Sequence, residues 1–221
     1  MSSVMQSTFM NQRSFGSKTL DVVGTASGQN SSSPSVTFNY PSDTQEGDLV
    51  VGFFMKSGNA TGTGFRNQGG WTRGPNNLYS NVTIYHQIAG INTAGSTGSF
   101  YDPASERTRR TAIIIVLRNG QFTSNSNTAA AQNQSPFTTS ALTNATDNST
   151  LLFIVGSEDA NQTYTVNGMT LQLAPNANVS YNMKLLIQQD MASGSTGNKI
   201  ATYSSGGGTF LAMCNIQNKL L

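Results

Sequence analysis

Charged side chains are scarce in this chain of 221 residues. Lysine, arginine, aspartate and glutamate together make up 10% of it, whereas about 25% is usual for a soluble domain. Serine, threonine, asparagine, glutamine and glycine must therefore cover most of the surface. Such a neutral polar coat gives copies of the protein little electrostatic repulsion, which is typical of proteins that lie packed against neighbours.

The formal net charge of +2 is too small to indicate a nucleic-acid partner. The only local basic density is formed by Arg107, Arg109 and Arg110. Alternation along a strand places Arg107 and Arg109 on one face and Arg110 on the other. A continuous phosphate-binding stripe is therefore not expected, and we predict no nucleic-acid partner.

Cysteine and histidine occur once each. Cys214 has no partner for an intrachain disulfide, and its place in an apolar run indicates a small buried side chain. His86 alternates with apolar residues, as expected of a residue on a sheet face. A zinc site needs three or four nitrogen or sulfur ligands, and no G-x-S-x-G motif supports a serine nucleophile. We predict no metal, no cofactor and no enzymatic activity.

Long apolar runs are also missing. No stretch reaches the roughly 18–20 consecutive apolar residues of a membrane-spanning helix. The N-terminal sequence MSSVMQSTFMNQR has neither the charged start nor the long apolar core of a secretory signal. We therefore expect no membrane association.

What the sequence does contain is a set of motifs that occurs twice. GDLVVGFF (47–54), NVTIYHQIAG (81–90) and RRTAIIIVLRNG (109–120) return as STLLFIVGSED (149–159), NMKLLIQQDMASG (182–194) and GGTFLAMCNIQN (207–218). A shorter motif, Gly70-Trp71-Thr72, returns as Gly168-Met169-Thr170. Matching positions are about a hundred residues apart, which indicates a duplicated set of strands and not a short-period solenoid.

Strand signals dominate between these motifs, and helix signals are almost absent. Asp48–Lys56 is apolar enough for a strand covered on both faces, and Thr111–Leu117 is the most β-branched run in the chain. Asn167-Gly168 between alternating flanks predicts a two-residue hairpin. The polar segment Ser124–Ser135 is predicted to connect the two halves, and within it Thr128–Gln134 has the composition for a turn or two of helix.

These patterns predict an all-β fold, a single antiparallel, jelly-roll-like β-sandwich of about eleven strands. Residues 1–34, which are polar with scattered apolar side chains, are predicted to be an extended N-terminal arm or lead-in strand. The sandwich domain is predicted over residues 35–221, from two pseudo-repeats at about 35–123 and 136–221. Because neither half has enough strands to close a stable sandwich, we expect the two sets to interleave around one hydrophobic interior.

Carboxylates offer few candidates for chemistry. Glu158, Asp159 and Asp190 follow neighbouring strands, so we expect them near one rim. There they either bind a hard cation or cap turns, and we favour the caps. Asp102 lies near Arg107 in a Pro-containing turn, which predicts a local ion pair. No two carboxylates are placed for general acid–base work.

Trp71, the only tryptophan, lies in a Gly-Gly-Trp-Thr turn beside Arg73. Its large apolar face with a polar edge suits stacking on a sugar or on a partner side chain. It suits equally well the closure of one end of the core, which we favour. The glycine runs at 62–64 and 206–208 lack the Lys-Ser/Thr ending of a phosphate-binding loop and are predicted to be loop tips or bulges.

The series of Gly47–Val51, Gly70–Thr72, Val82–Gly90 and Ala112–Gly120 resembles a β-sandwich module of tailed bacteriophages and prophages. The sequences of this family typically contain four motifs in the order GDLLVAF, GWT, a tyrosine-rich strand that ends in V-A-G, and an apolar strand that ends in R-G. The resemblance covers about residues 35–216. In this chain Asn119 separates the arginine from the glycine of the last motif, and a histidine replaces the usual aromatic or basic residue of the third. The resemblance implies a structural role in a virion and no catalytic residues.

Resemblance and composition together lead us to expect a non-enzymatic virion protein on the phage particle surface, a decoration or cement protein that binds the major capsid protein. The resemblance implies a homotrimer. An arm can add a strand to a neighbour's exposed sheet edge, so the predicted partner-binding residues are Val4, Met5, Phe9, Met10 and Phe15. The alternative is a tail or fibre module that recognises a cell-surface glycan through Trp71 and Arg73. A polysaccharide hydrolase is the third hypothesis, and it lacks matched carboxylates.

Overall fold

The structure, a computed structural model, describes residues 20–56, 69–74, 82–102, 110–132, 136–144, 147–157, 163–174, 182–203 and 208–219. Within these ranges the fold is all-β and contains no helix. Every strand pairing is antiparallel. The predicted class is therefore confirmed.

The described residues form seventeen strands, more than the number of about eleven that the sequence predicts. Many of the additional strands are short and polar, so their alternation is too brief to stand out. In chain order the strands are β1 (Asp21–Asn30), β2 (Ser35–Asn39), β3 (Leu49–Lys56), β4 (Thr72–Arg73), β5 (Val82–Ile88), β6 (Thr97–Tyr101), β7 (Arg110–Arg118), β8 (Gly120–Gln132), β9 (Phe137–Thr139), β10 (Thr143–Asn144), β11 (Ser149–Ser157), β12 (Tyr164–Val166), β13 (Thr170–Leu173), β14 (Asn182–Met191), β15 (Gly194–Ser195), β16 (Lys199–Tyr203) and β17 (Gly208–Asn218).

Two five-stranded sheets form the centre of the molecule. The inner N sheet has the strand order β1-β7-β3-β5-β4, and the inner C sheet has the order β13-β14-β11-β17-β8. A two-stranded outer N sheet (β2-β6) and a three-stranded outer C sheet (β12-β16-β9) lie outside them. β10 and β15 form a separate pair.

The duplication seen in the sequence is present in the topology. Read from the first strand of each half, β8-β17-β11-β14-β13 repeats the order β1-β7-β3-β5-β4. Each inner sheet takes all its strands from one half of the chain, so the predicted interleaving is wrong. The repeats also begin earlier than the predicted residues 35 and 136, because β1 and β8 are their true first strands.

β8 escaped prediction as a strand, and β1 was predicted only as part of an arm or lead-in strand, because the residues of both are mostly small and polar. β1 pairs with β7 from Asp21↔Arg118 to Asn30↔Arg110, so this part of the predicted arm is a strand of the inner N sheet. β8 pairs with β17 and includes most of the predicted connection at 124–135. The helical turn predicted within that connection is therefore wrong for the residues up to Gln132, which lie in β8. In both cases an apolar neighbour supplies a long ladder of backbone partners, which overrides weak local propensity. Residues 1–19 of the predicted arm lie outside the described residues.

Three clusters of buried apolar residues lie between the sheets, not the single interior that the sequence suggests. The central cluster joins the facing sides of the two inner sheets, with Phe53 from β3 and Ile154 from β11 among its members. The outer N cluster joins β3 and β7 to β2 and β6. The outer C cluster joins β11 and β17 to β12 and β16. Because side chains alternate along a strand, Val51 enters the central cluster while Val50 enters the outer N cluster. The central strands β3, β7 and β11 are therefore apolar at most positions.

The two inner sheets face each other in an order that an approximate two-fold axis explains. β1 contacts β13, β3 contacts β8 and β5 contacts β17. At the other edge, a Cβ added to Gly74 after β4 would lie 3.4 Å from Phe122 of β8. The first strand of each inner sheet therefore faces the last strand of the other sheet, as in an isologous dimer interface.

The turn at Asn167-Gly168 forms, but the predicted hairpin does not. Met169 N donates to Val166 O at 3.3 Å, and Gly168 has a φ of 70°. Among these two central residues only the glycine has a positive φ, which is the pattern of a type II turn and not of a type I′ hairpin turn. β12 and β13 on its two sides belong to different sheets, so the turn moves the chain from one layer to the next.

Candidate functional site

The predicted partner-binding residues of the arm lie outside the described residues, so their role stays a prediction. They are Val4, Met5, Phe9, Met10 and Phe15.

Trp71 packs against the outer N cluster and is partly buried. Its ring centroid lies 4.8 Å from that of Phe100 and 6.4 Å from that of Phe38. Arg73, two residues later in β4, is exposed and pairs with Tyr85 of β5. Trp71 therefore closes one end of this cluster, and a stacking role on a glycan stays a prediction for its exposed part and for Arg73.

β5 continues past the end of β4 and forms a polar step that we call the N-half step. Gln87 lies here, and its Nε2 donates to Tyr40 Oη at 2.6 Å. Burial raises the pKa of Tyr40, and the hydrogen bond from Gln87 partly opposes that rise. Gly70 has a φ of 79° and faces the same glutamine, since a Cβ there would lie 3.6 Å from Gln87 Oε1.

The second half has the same arrangement at a step that we call the C-half notch. β13 begins at Thr170, opposite Ile187, so β14 runs on without it through Gln188. Gln188 Oε1 accepts a hydrogen bond from Lys199 Nζ at 2.6 Å. Burial lowers the pKa of Lys199, which is 5% exposed. Gly168 faces this glutamine as Gly70 faces Gln87, with a φ of 70°.

The two steps correspond residue by residue. Gly70 and Thr72 match Gly168 and Thr170, and Gln87 matches Gln188 in the aligned NVTIYHQ and NMKLLIQ motifs. Sequence analysis found the Gly-x-Thr match but missed the glutamine. The signal was available, because glutamine occupies the same position of both aligned motifs.

A buried charged cluster joins three strand ends of the first half. Lys56 Nζ lies 3.3 Å from Asp102 Oδ2, and Arg110 Nε lies 3.7 Å from the same oxygen. Their side chains are 1%, 6% and 2% exposed in the order Lys56, Asp102 and Arg110. Arg110 Nη1 also donates to Ser33 O at 3.0 Å. The cluster therefore fastens the outer N sheet to the inner N sheet. Arg107, the predicted partner of Asp102, lies outside the described residues.

His86 lies where the two inner sheets meet at one edge. Its ring stacks on Phe122 of β8, with centroids 4.1 Å apart and an interplanar angle of 10°. Burial lowers its pKa. Val82 and Ile84 of the same face lie in the central cluster, so the predicted position on a sheet face is confirmed.

Cys214 also belongs to the central cluster and is fully buried. Burial raises the pKa of its thiol, which keeps it protonated and unreactive. The prediction of a small buried side chain is confirmed.

The predicted rim of carboxylates is only partly described. Glu158 and Asp159 lie outside the described residues, and Asp190 is exposed with a φ of 54°. In the described ranges no three or more His, Cys, Asp or Glu side chains are grouped so that they could hold a metal ion.

The four edges of the inner sheets differ in how well they are protected from strand addition. β4 has two residues, and β13 has four with a register shift between Leu171 and Leu173. β1 lies against β2, since a Cβ on Gly28 would come within 1.9 Å of Thr37 O.

β8 is the least protected of these edges. It has 13 residues, GQFTSNSNTAAAQ, with no charge and no proline, the residues that usually block edge pairing. Within the described residues it pairs only with β17, regularly from Ser126 to Gln132.

No protein-family model, no curated protein and no solved structure matches this chain. In the part of the chain that the structure describes, no helix has the length and apolar character that a membrane crossing requires.

Proposed function

We propose that this chain is a non-enzymatic structural protein of a tailed-bacteriophage particle, most simply a decoration or cement protein that binds the major capsid protein at the particle surface. The observation that carries the proposal is the long, uncharged edge of β8 on a protein whose charged residues are only 10% of the chain. An edge of this kind accepts a strand from a neighbour, and main-chain hydrogen bonds then supply the affinity.

The stacking of the sheets supports a structural role. Both faces of β3, β7 and β11 are buried, so the inner sheets present edges and loops to partners and not a binding face. The buried charged groups of Lys56, Asp102 and Arg110 connect strands to one another. A scaffold with central strands buried on both faces suits a protein that holds a particle together.

The finer architecture belongs to the same proposal. We describe the molecule as one antiparallel, jelly-roll-like sandwich domain in which the two halves share the central cluster. The copies associate as a homotrimer, which the resemblance to the phage module implies. Closed symmetry of this kind multiplies each weak contact.

Cosedimentation with particles assembled without the protein tests the attachment. Three full-length proteins are compared: wild type, a β8 variant with Thr128→Lys and Ala130→Lys, and a β13 control with Thr170→Lys. A fourth lacks residues 1–19, since the pairing of β1 with β7 requires the truncation to stop before Asp21. We expect wild type and the β13 control to bind, and the β8 variant and the truncated protein to lose binding while keeping the wild-type melting temperature.

Attachment fails as a proposal if wild type does not sediment with the particles. Equal binding by all four proteins would remove both the arm and the β8 edge as its basis. Sedimentation velocity of the free protein tests the trimer, which a monomer at high concentration would contradict.

A glycan-binding tail or fibre module is the second candidate. The observation that favours it is the pair of corresponding polar steps at Gln87 and Gln188. A glycan array probed with wild type and with Arg73→Ala tests the N-half step. Arg73 is the better first variant because Trp71 packs on Phe100, so Trp71→Ala also disturbs the outer N cluster. A blank array with wild type contradicts this candidate.

A further inference from the structure

The C-half notch is the opening of a cavity of about 340 Å³ at the edge of the inner C sheet. This volume lies within the range of about 300–1,000 Å³ that is usual for small-molecule sites. The cavity is lined by Gly168, Thr170, Gln172, Ile187, Gln188 and Gln189.

The lining carries no formal charge. It offers three carboxamides and one hydroxyl, each of which both donates and accepts hydrogen bonds. Ile187 adds an apolar contact from β14 and is 2% exposed. An ionic ligand would lose its hydration here without meeting an opposite charge on these side chains. A neutral ligand that is rich in hydroxyls and has apolar C–H faces matches the lining.

Lys199 fixes the orientation of Gln188. An ammonium group can only donate, so the oxygen of the carboxamide must face Lys199 Nζ, 2.6 Å away. The Nε2 group then faces away from Lys199, and it lies 4.0 Å from the position of a Cβ on Gly168. Gln188 therefore presents its donors in one fixed direction at the rim of the cavity.

The turn above the cavity is fastened to the outer C sheet. Asn167 Oδ1 accepts a hydrogen bond from Ile200 N of β16 at 2.8 Å. Met169 N closes the turn through Val166 O. A site whose parts are held before the ligand arrives loses less conformational entropy on binding.

The N-half step supplies a matched comparison within the same chain. It has the same glycine, threonine and glutamine, but its glutamine donates to Tyr40 Oη where Gln188 accepts from Lys199. Arg73 in the N half corresponds to Leu171 in the C half, so a charged side chain lies on the edge strand of the N-half step. The side chains that line the C-half notch carry no formal charge, and Lys199 Nζ lies 2.6 Å from Gln188 Oε1.

We propose that the C-half notch binds a sugar unit of a neutral glycan. Gln188 and Gln172 hydrogen-bond its hydroxyls, and Thr170 adds a third polar contact. The site goes beyond the attachment function proposed above and does not depend on it. It gives the second candidate function a binding site in the half opposite Trp71.

Saturation-transfer NMR on the full-length protein tests this site. The probes are glucose, galactose, mannose, rhamnose and N-acetylglucosamine, with glucuronate and inorganic phosphate as charged comparisons. We expect at least one neutral sugar to bind saturably. Loss of one buried hydrogen bond should weaken that binding about tenfold in Gln188→Ala. Gln172→Ala should also weaken it, because Gln172 lies on the edge strand that borders the cavity.

Gln87→Ala, the matched variant of the N-half step, is expected to bind the sugar as wild type does. The proposal is overturned if no neutral sugar binds saturably, if both C-half variants bind as wild type, or if Gln87→Ala alone loses binding. Tighter binding of glucuronate or phosphate than of every neutral sugar would overturn the assigned ligand class. Particle attachment by Gln188→Ala should be unchanged, so failure of this site and failure of attachment give different results.

Discussion

The two halves of this chain share one strand order but fill it with different chemistry. The N half builds its outer cluster from aromatic rings, with Phe54 and Tyr85 each stacked on Phe100. It also buries an ionic cluster around Asp102. The outer C cluster is largely aliphatic, and the buried Lys199 of that half pairs with the neutral Gln188.

The difference shows which features the topology requires. Both halves keep nearly continuous apolar runs on their central strands, because those strands are covered on both faces. Among the described residues of the C half, neither the stacked aromatic rings around Phe100 nor the ionic cluster around Asp102 has a counterpart, so both are local solutions for fastening an outer sheet. Substitutions at these points should affect the N half more than the C half.

The largest effect is expected at Asp102. Asp102→Ala removes the carboxylate that lies beside the buried Lys56 and Arg110, which should cost about 3–5 kcal/mol of the free energy of unfolding. Lys199→Met, the C-half comparison, removes a single hydrogen bond to a neutral partner and should cost about 1 kcal/mol. Urea denaturation of the two variants measures the difference.

A control separates charge from packing at this cluster. The triple variant Lys56→Met, Asp102→Leu and Arg110→Met replaces all three charges and should regain most of the lost stability. Equal losses for Asp102→Ala and Lys199→Met would show that the ionic cluster contributes no more than an ordinary hydrogen bond.

The next effect is expected at two glycines in central strands. In Gly52→Ala the new Cβ would lie 2.6 Å from Phe100 Cζ, and displacing this packed ring should cost about 1–3 kcal/mol. In Gly156→Ala the new Cβ would meet Met55 Sδ at 2.7 Å, and a flexible thioether should adapt at a cost of about 1 kcal/mol or less. Thermal unfolding followed by circular dichroism ranks the two, and the reverse order would contradict the role given to the aromatic cluster.

A smaller effect is expected from pH. Burial lowers the pKa of His86 in the folded protein, so the unfolded chain, with a pKa of about 6.5, binds the proton more strongly. The contribution of neutral His86 to the free energy of unfolding should therefore be fully present above the pKa of the unfolded chain. It should be lost as the pH falls below about 6.5, towards the lower pKa of the folded protein. His86→Ile copies Ile187, the matching residue of the C half, and should remove this part of the pH dependence. Identical pH profiles of the free energy of unfolding for wild type and His86→Ile would refute the assignment of this pH dependence to His86.

The smallest effect is expected at the exposed positions of the short edge strands. Arg73 and Leu171 correspond to each other and are both exposed. Arg73→Ala and Leu171→Ala should each change the free energy of unfolding by no more than about 0.5 kcal/mol. A larger change in urea denaturation would show that one of these edges contributes to the fold.

The sequence predicted features that depend on local pattern. Apolar alternation identified β3, β7, β11 and β17, and the repeated motifs identified the duplication. His86 was placed on a sheet face, and Cys214 in the interior. The glycine of Asn167-Gly168 correctly indicated a turn. Each of these conclusions needs only the period of a strand or the backbone preference of one residue.

The candidate site was found only in part, because its parts are far apart in the chain. Gly168 and Thr170 carried a repeat signal. Gln188 did not stand out until the structure placed it between Gly168 and Lys199. The ionic cluster was missed for the same reason, since Lys56, Asp102 and Arg110 meet only when three strand ends come together.

The sequence by itself determined that this chain is all-β, that it is duplicated, and which of its central strands are buried on both faces. Only the tertiary structure decided that β1 and β8 are strands, that each half keeps its own inner sheet, and that three clusters replace one interior. The physical reason is that alternation fixes which face of a strand is buried, whereas the choice of neighbour rests on long-range backbone pairing that leaves no local mark.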